Sequence, residues 1–159
     1  MPAGVTSIAP RLVERPPLRM AVIDTVGDPD TVGGLAVGSL YGAVMASGVP
    51  SGALRARWPN AHDHEESERL AHWALPVPDD APEPGGSIRL ETWYGGLVAE
   101  VLYEGPLGDG EVETVRQLHR FIADSDCEIA GPAEEEYVSR PGEEPRRTIL
   151  RYEVRSTRL

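Results

Sequence analysis

The chain reads as an α+β protein built from a duplicated βαββ unit. Two helical stretches each follow one strand-like run and precede two more. The second helix is amphipathic, which gives each half a sheet and one helix to cover it. Between the halves lies a Pro/Gly/Asp-rich link followed by a single alternating run.

Taken in order, residues 1–17 carry several prolines and are expected to be a flexible lead, so the folded part is a single domain over 18–159. Its halves run from about 18 to 78 and from 96 to 155. "LRMAVIDTV" (Leu18 to Val26) is strand-like, dense in branched apolar residues. A helix follows from about Asp30, read as its N-cap, to about Ser47, where Gly48 and Pro50 stop it. Gly34, Gly38 and Gly42 recur every fourth residue of that helix. One face is thereby stripped of side chains, as close packing against a sheet requires. "SGALRARW" and "ERLAHWALPV" are the next two strands. "PDDAPEPGG" is the link and "SIRLETWY" the single connecting strand.

The second half opens with the strand "GLVAEVLYEG". In "GEVETVRQLHRFIADS" the residues Val112, Val115, Leu118, Phe121 and Ile122 fall at helical spacing behind an acidic first turn. "CEIAGPAEEEYV" and "RRTILRYEVR" close the chain as strands. When the halves are aligned, Ala21 and Gly27 match Ala99 and Gly105, and Gly52 matches Gly131 after a shift of one. Trp58 then falls opposite Tyr137, and Ala56 opposite Glu135.

Composition excludes several functions. A net charge of −11 over 159 residues leaves no basic stripe to neutralise phosphates, so direct nucleic-acid binding is not expected. Cys127 is the one cysteine and no signal-peptide-like apolar run begins the chain, which together predict a reduced, cytoplasmic protein. The stretch from Thr31 to Leu54 is uncharged and long enough to span a bilayer. Its glycines, Pro50 and the lack of basic flanks favour a soluble helix over a membrane span. His62, Asp63, His64 and Glu65 crowd one loop, but such spacing fixes no tetrahedral cage and no metal or other cofactor is expected. Cys127, Ser125 and Ser139 sit in no nucleophile motif.

The second half, with an apolar strand ending in E-G-P, an amphipathic helix, then G-P-x-x-E-x-Y and a Pro/Gly turn, resembles the GyrI-like small-molecule-binding domain. That domain occurs as the effector-binding module of multidrug-responsive regulators and as stand-alone proteins. The resemblance extends from about Leu18 to Arg155 and implies one antiparallel sheet, two helices on one face and a ligand groove on the other. It assigns Glu135 and Tyr137 to the ligand, one strand period apart and therefore on one face. Glu134 and Glu136 then point away, towards solvent or the helices. For Glu135 the alternative is an exposed strand carboxylate, and for Tyr137 ordinary sheet core. Trp58, Trp93 and Tyr103 are further candidate ligand contacts, each able to serve the core instead, whereas Tyr41 suits helix packing or a subunit contact.

A carboxylate among rings favours cations, with each good ring contact adding about 0.5 to 2 kcal/mol. The expected partner is a planar, lipophilic, often cationic drug-like molecule, bound for sequestration, sensing or antibiotic resistance by a monomer or homodimer. The resemblance also implies an enzyme as alternative: a hydrolase of strained cyclopropane-containing DNA-alkylating natural products, with Glu135 as catalytic general base. A third reading is a protein inhibitor of a topoisomerase. With no helix-turn-helix visible before Leu18, the chain is not expected to be a DNA-binding regulator itself.

Overall fold

A computed structural model describes residues 9–48, 50–59, 69–93, 95–106, 109–139 and 142–158. The chain divides into two compact units, one of residues 16–95 and the other of residues 9–15 with 96–158. Each is an antiparallel sheet carrying one long helix.

In the first unit, β2 (Leu18–Val26) is flanked by β4 (Leu70–Pro76) and β5 (Arg89–Trp93), and β3 (Arg55–Trp58) pairs with β4. The order is β5-β2-β4-β3. Helix α1 (Pro29–Ser47) packs on β2 and β4. Its cap is Asp28 rather than Asp30: the Asp28 carboxylate accepts from the Asp30 amide at 3.1 Å, and Pro29 takes the first helical position, where a missing N–H costs nothing.

The other unit contains β1 (Arg11–Arg15), β6 (Gly96–Glu104), α2 (Asp109–Asp124), β7 (Cys127–Ile129), β8 (Ala133–Tyr137) and β9 (Arg147–Ser156). The order is β1-β6-β9-β8, with β7 pairing the far end of β9. Helix α2 packs on β6 and β7, burying Leu118 and Ile122 against Val101, Leu150, Tyr152 and Val154. Val112, expected on that apolar face, is exposed.

The duplication is visible in the hydrogen-bond register. Ala56 pairs Trp73, which pairs Ile23; in the same places Glu135 pairs Leu150, which pairs Val101. Gly27 and Gly105 close the first strands with φ of 129° and 139°, a region that side chains strongly disfavour. Their amides donate to equivalent carbonyls, those of Arg69 and Arg146. Trp58 and Tyr137 end equivalent strands.

The supposed flexible lead supplies β1, which holds in the first repeat the place that β5 holds in the second. The connecting strand is therefore a component of the repeat, and each unit holds the leading strand of the other repeat: β5 pairs β2, and β1 pairs β6. Prolines and alternating charge hid β1, and both suit an edge strand.

The glycines of α1 act differently from expectation. Gly34, Gly38 and Gly42 face open space, and the nearby Leu35 is 84% exposed. Gly33 makes the close approach, since a methyl there would lie 2.9 Å from the Trp73 ring. Trp73 cannot yield easily: its Nε1 donates to Thr25 Oγ1 at 2.9 Å and its ring meets Trp58 edge-on, centroids 5.5 Å apart. No helix among the described residues is long and apolar enough to cross a membrane. Gly38→Ala should raise unfolding stability in urea by up to about 1 kcal/mol, the helix-propensity gain. Gly33→Ala should lie about 1–3 kcal/mol below Gly38→Ala, because overpacking strain opposes the same gain.

Candidate functional site

Strand alternation sorts the acidic run of β8 onto two faces. Glu135 pairs Leu150 across the ladder, and Leu150 belongs to the core under α2. Glu135 and Tyr137 therefore face the helix, while Glu134 and Glu136 face the opposite side.

On that opposite side Glu134 is 3% exposed, between two arginines. Arg15 Nη1 donates to its Oε2 at 2.9 Å and Arg151 Nη1 donates to the same oxygen at 2.6 Å. Arg151 also donates to Glu100 at 2.9 Å and to Glu136 at 3.0 Å, and Arg11 reaches Glu100 at 2.9 Å. Arg15 donates further to Glu153 at 3.2 Å. The expectation of solvated Glu134 and Glu136 is thus corrected: Glu134 is a buried ion-pair centre and Glu136 a half-buried partner of the same guanidinium. Burial pushes Glu100 up, but Arg151 and Arg11 outweigh it and hold the carboxyl below its ordinary value of 4.5.

The helix side holds a second acidic group of different character. Glu111, in the first turn of α2, hydrogen-bonds Glu135. Burial raises Glu111 more than that bond lowers it, so the net shift is upward. A bond between two carboxyls needs one proton shared between them. Burial, then the Glu135 charge, drives the Tyr137 phenol far above its ordinary range; Tyr137 also hydrogen-bonds Glu135, so the neutral phenol donates. Tyr152 is raised for the same two reasons in the same order. Its hydroxyl lies 3.0 Å from His119 Nε2, with ring centroids 5.1 Å apart. Glu111, Glu135, Tyr137, Tyr152 and His119 thus form one cluster of carboxyls and rings from α2, β8 and β9. The resemblance placed the groove away from the helices; in this unit Glu135 and Tyr137 face α2.

The other candidates divide. Tyr103 is buried in the core and donates to the Pro106 carbonyl at 2.6 Å, under the first turn of α2. In the first unit Trp58 lies on the α1 face with Trp73, whereas Trp93 is 2% exposed on the opposite face with Met20, Val22 and Ala74. Trp93 donates to Glu91 at 2.9 Å, and Arg57 stacks 3.6 Å from its ring centroid. One flat ligand cannot stack on both tryptophans, because the sheet separates them. The loop with His62, Asp63, His64 and Glu65 lies outside the described residues.

Sequence reasoning missed Glu111, Tyr152 and His119. Tyr152 was accessible from its parity with Leu150 on β9; Glu111 was not, since a first-turn glutamate ordinarily serves the helix dipole.

Two predictions concern the ion pairs. Glu134→Gln should cost about 3–5 kcal/mol in urea unfolding, since it leaves two buried guanidinium groups under-compensated, and Glu136→Gln about 1. As Glu100 is depressed in the fold, its stabilisation is complete above 4.5 and is lost as pH falls through the depressed value. Thermal stability should therefore fall below about pH 4.5, and less steeply in Glu100→Gln.

Comparison with known proteins agrees with this architecture. An uncharacterised conserved protein from Listeria innocua shares 22% identity, covers 92% of each chain and superposes with a TM-score of 0.80. A hydrolase from Listeria innocua gives 21%, 92% of each chain and 0.77. SAV2435 bound to tetraphenylphosphonium gives 14% identity over 93% of this chain and 94% of that one, with 0.59. These likenesses concern the fold. No curated protein matches the sequence. The GyrI-like small molecule binding domain matches residues 8–155, nearly the whole chain, and the chain belongs to that family.

Proposed function

We propose that this member of a small-molecule-binding family takes lipophilic cations, with Glu135 as the charge that selects them and Tyr137 and Tyr152 as rings beside it. The observation that carries the reading is the Glu135 carboxylate itself, half-buried on the α2 side and hydrogen-bonded by Tyr137. A desolvated carboxylate favours a cation over a neutral solute, and the tyrosine faces add cation–π attraction. A structural neighbour was solved with a bound lipophilic cation, tetraphenylphosphonium. Sequestration or sensing of such compounds in the cytoplasm is the corresponding role.

Titration with tetraphenylphosphonium and a panel of planar cations, followed by calorimetry and tryptophan fluorescence, tests the reading. Saturable binding is expected, and Glu135→Gln should weaken it at least about tenfold, near 1.4 kcal/mol, while neutral planar compounds change less. Absence of saturable binding by every cation sinks it.

A second reading is favoured by one feature, the hydrogen bond between the carboxyls of Glu111 and Glu135. Paired carboxyls of unlike protonation can act as acid and base. In a cyclopropane hydrolase, Glu135 takes a proton from water as its oxygen bonds to a ring carbon. The electrons of the breaking C–C bond pass to the substrate's acceptor group, which Glu111 protonates. A product heavier by one water, and lost in Glu135→Gln, would select this chemistry; recovery of unchanged substrate removes it.

A further inference from the structure

The link between the two repeats folds against the far end of α1. The Ala81 amide donates to the Pro78 carbonyl at 3.0 Å, closing a turn with Asp79 and Asp80 at its centre. Gly85 and Gly86, with φ of 80° and 63°, then turn the chain back towards β5. Between the two turns Pro82 and Pro84 fix their own φ and carry no N–H, so this wall is stiff and poor in donors. Together with Val44 and Gly48 of α1, Val77 after β4 and Leu90 of β5, the link bounds a cavity of about 190 Å³. Val44 and Val77 are buried and form its floor, whereas Pro78, Asp80 and Pro82 are exposed and mark its mouth.

The cavity has the size of one ring. An apolar cavity of about 150 Å³ holds a benzene molecule, and pockets for drug-sized ligands run from about 300 Å³ upward. Tetraphenylphosphonium is too large for it. Its polarity is one-sided. Asp80 is the one charged residue of the wall, and it makes no hydrogen bond or ion pair among the described residues. Helix α1 ends at the cavity without a basic residue in its last turn, so the partial negative charge of its carbonyl end goes uncompensated there. Arg19 lies across the ladder from Val77, whose amide donates to its carbonyl, but it is outside the wall.

We propose that this cavity is a second ligand site and takes a single-ring aromatic amine. The ring rests on Val44, Val77 and Leu90, and the ammonium group sits at the mouth beside Asp80 and the end of α1. The site shares no residue with the Glu135 cluster and stands whatever binds there. Volume selects one ring over larger ring systems. Asp80 and the helix end select the charge, by a modest factor because the carboxylate is exposed to water.

The test uses the whole chain with benzylamine, benzyl alcohol and benzoate, which share the ring and differ in charge. Amide and methyl NMR should show saturable shifts at Val44, Val77, Ala81 and Leu90 with benzylamine, at a dissociation constant on the order of 1 mM for so small a ligand. Benzyl alcohol should bind about two- to fivefold more weakly, and benzoate more weakly still. Asp80→Asn, an exposed turn position, should shrink the difference between amine and alcohol. Ala81→Phe, which adds a ring to the wall, should abolish the shifts while urea unfolding reports an intact fold; should it fail to fold, the ligand series and Asp80→Asn still decide. Absence of saturable shifts at these residues overturns the proposal, as does benzylamine binding that a folded Ala81→Phe leaves unchanged. Equal binding of benzyl alcohol removes the charge selection and with it the assignment to amines. Tighter binding of benzoate overturns it too, and makes Arg19 the anchoring charge.

Discussion

The guanidinium of Arg151 is the fixed point of the unit that holds the acidic cluster. Its nitrogens reach Glu100 on β6, and Glu134 and Glu136 on β8, while Glu134 continues the chain of charges to Arg15 on β1. Four strands are thus tied across one face by hydrogen-bonded charges. Such pairs are not expected to add net stability over apolar residues of equal volume, because taking ions from water costs about as much as their attraction returns. What they supply is register. A slip of β8 by one residue would bring Glu135 to the arginines and turn Glu134 and Glu136 towards the helix. The three consecutive glutamates look interchangeable in composition, yet their partners distinguish them.

From that constraint follows the chemistry of the other face. With β8 held in place, Glu135 and Tyr137 must point to α2, where the Glu111 carboxyl hydrogen-bonds that of Glu135. The same strand therefore carries glutamates of two kinds. Glu134 and Glu136 on one side accept from arginine, and Glu135 on the other side meets the Glu111 carboxyl and the Tyr137 phenol. The neutral Tyr137 phenol donates towards Glu135, setting that carboxyl among rings.

How much of this was legible in the sequence depended on whether a signal was local. The order of elements, the duplication and the placement of Glu135 with Tyr137 on one face all follow from period and punctuation, and all three stand in the register. The glycine spacing misled because a stripe of small residues says nothing of which side faces the sheet; only Gly33, outside the stripe, meets Trp73. Asp28 and Asp30 both suited a helix cap, and Pro29 settles between them by taking the first helical position. Trp58 and Trp93 looked alike as strand tryptophans with charged neighbours. Their strands' opposite parity could not be known before the pairing of β5 with β2. Glu134 was hidden for a similar reason, since its arginines come from strands remote in the chain.

The exchange of leading strands between the repeats also bears on how the chain comes into being. Strand β1 is the first described element to leave a ribosome, yet Arg11 and its partner Glu100 are 89 residues apart. At ordinary synthesis rates that gap lasts on the order of 10 s, during which β1 has no strand to pair with. Its arginines and bordering prolines then do a second job. They keep a nascent, unpaired edge soluble and poorly suited to pairing with other chains until β6 emerges. The second repeat has no such wait: β5 follows the strand it joins, so residues 16–95 have all the strands of their sheet before β6 has been made.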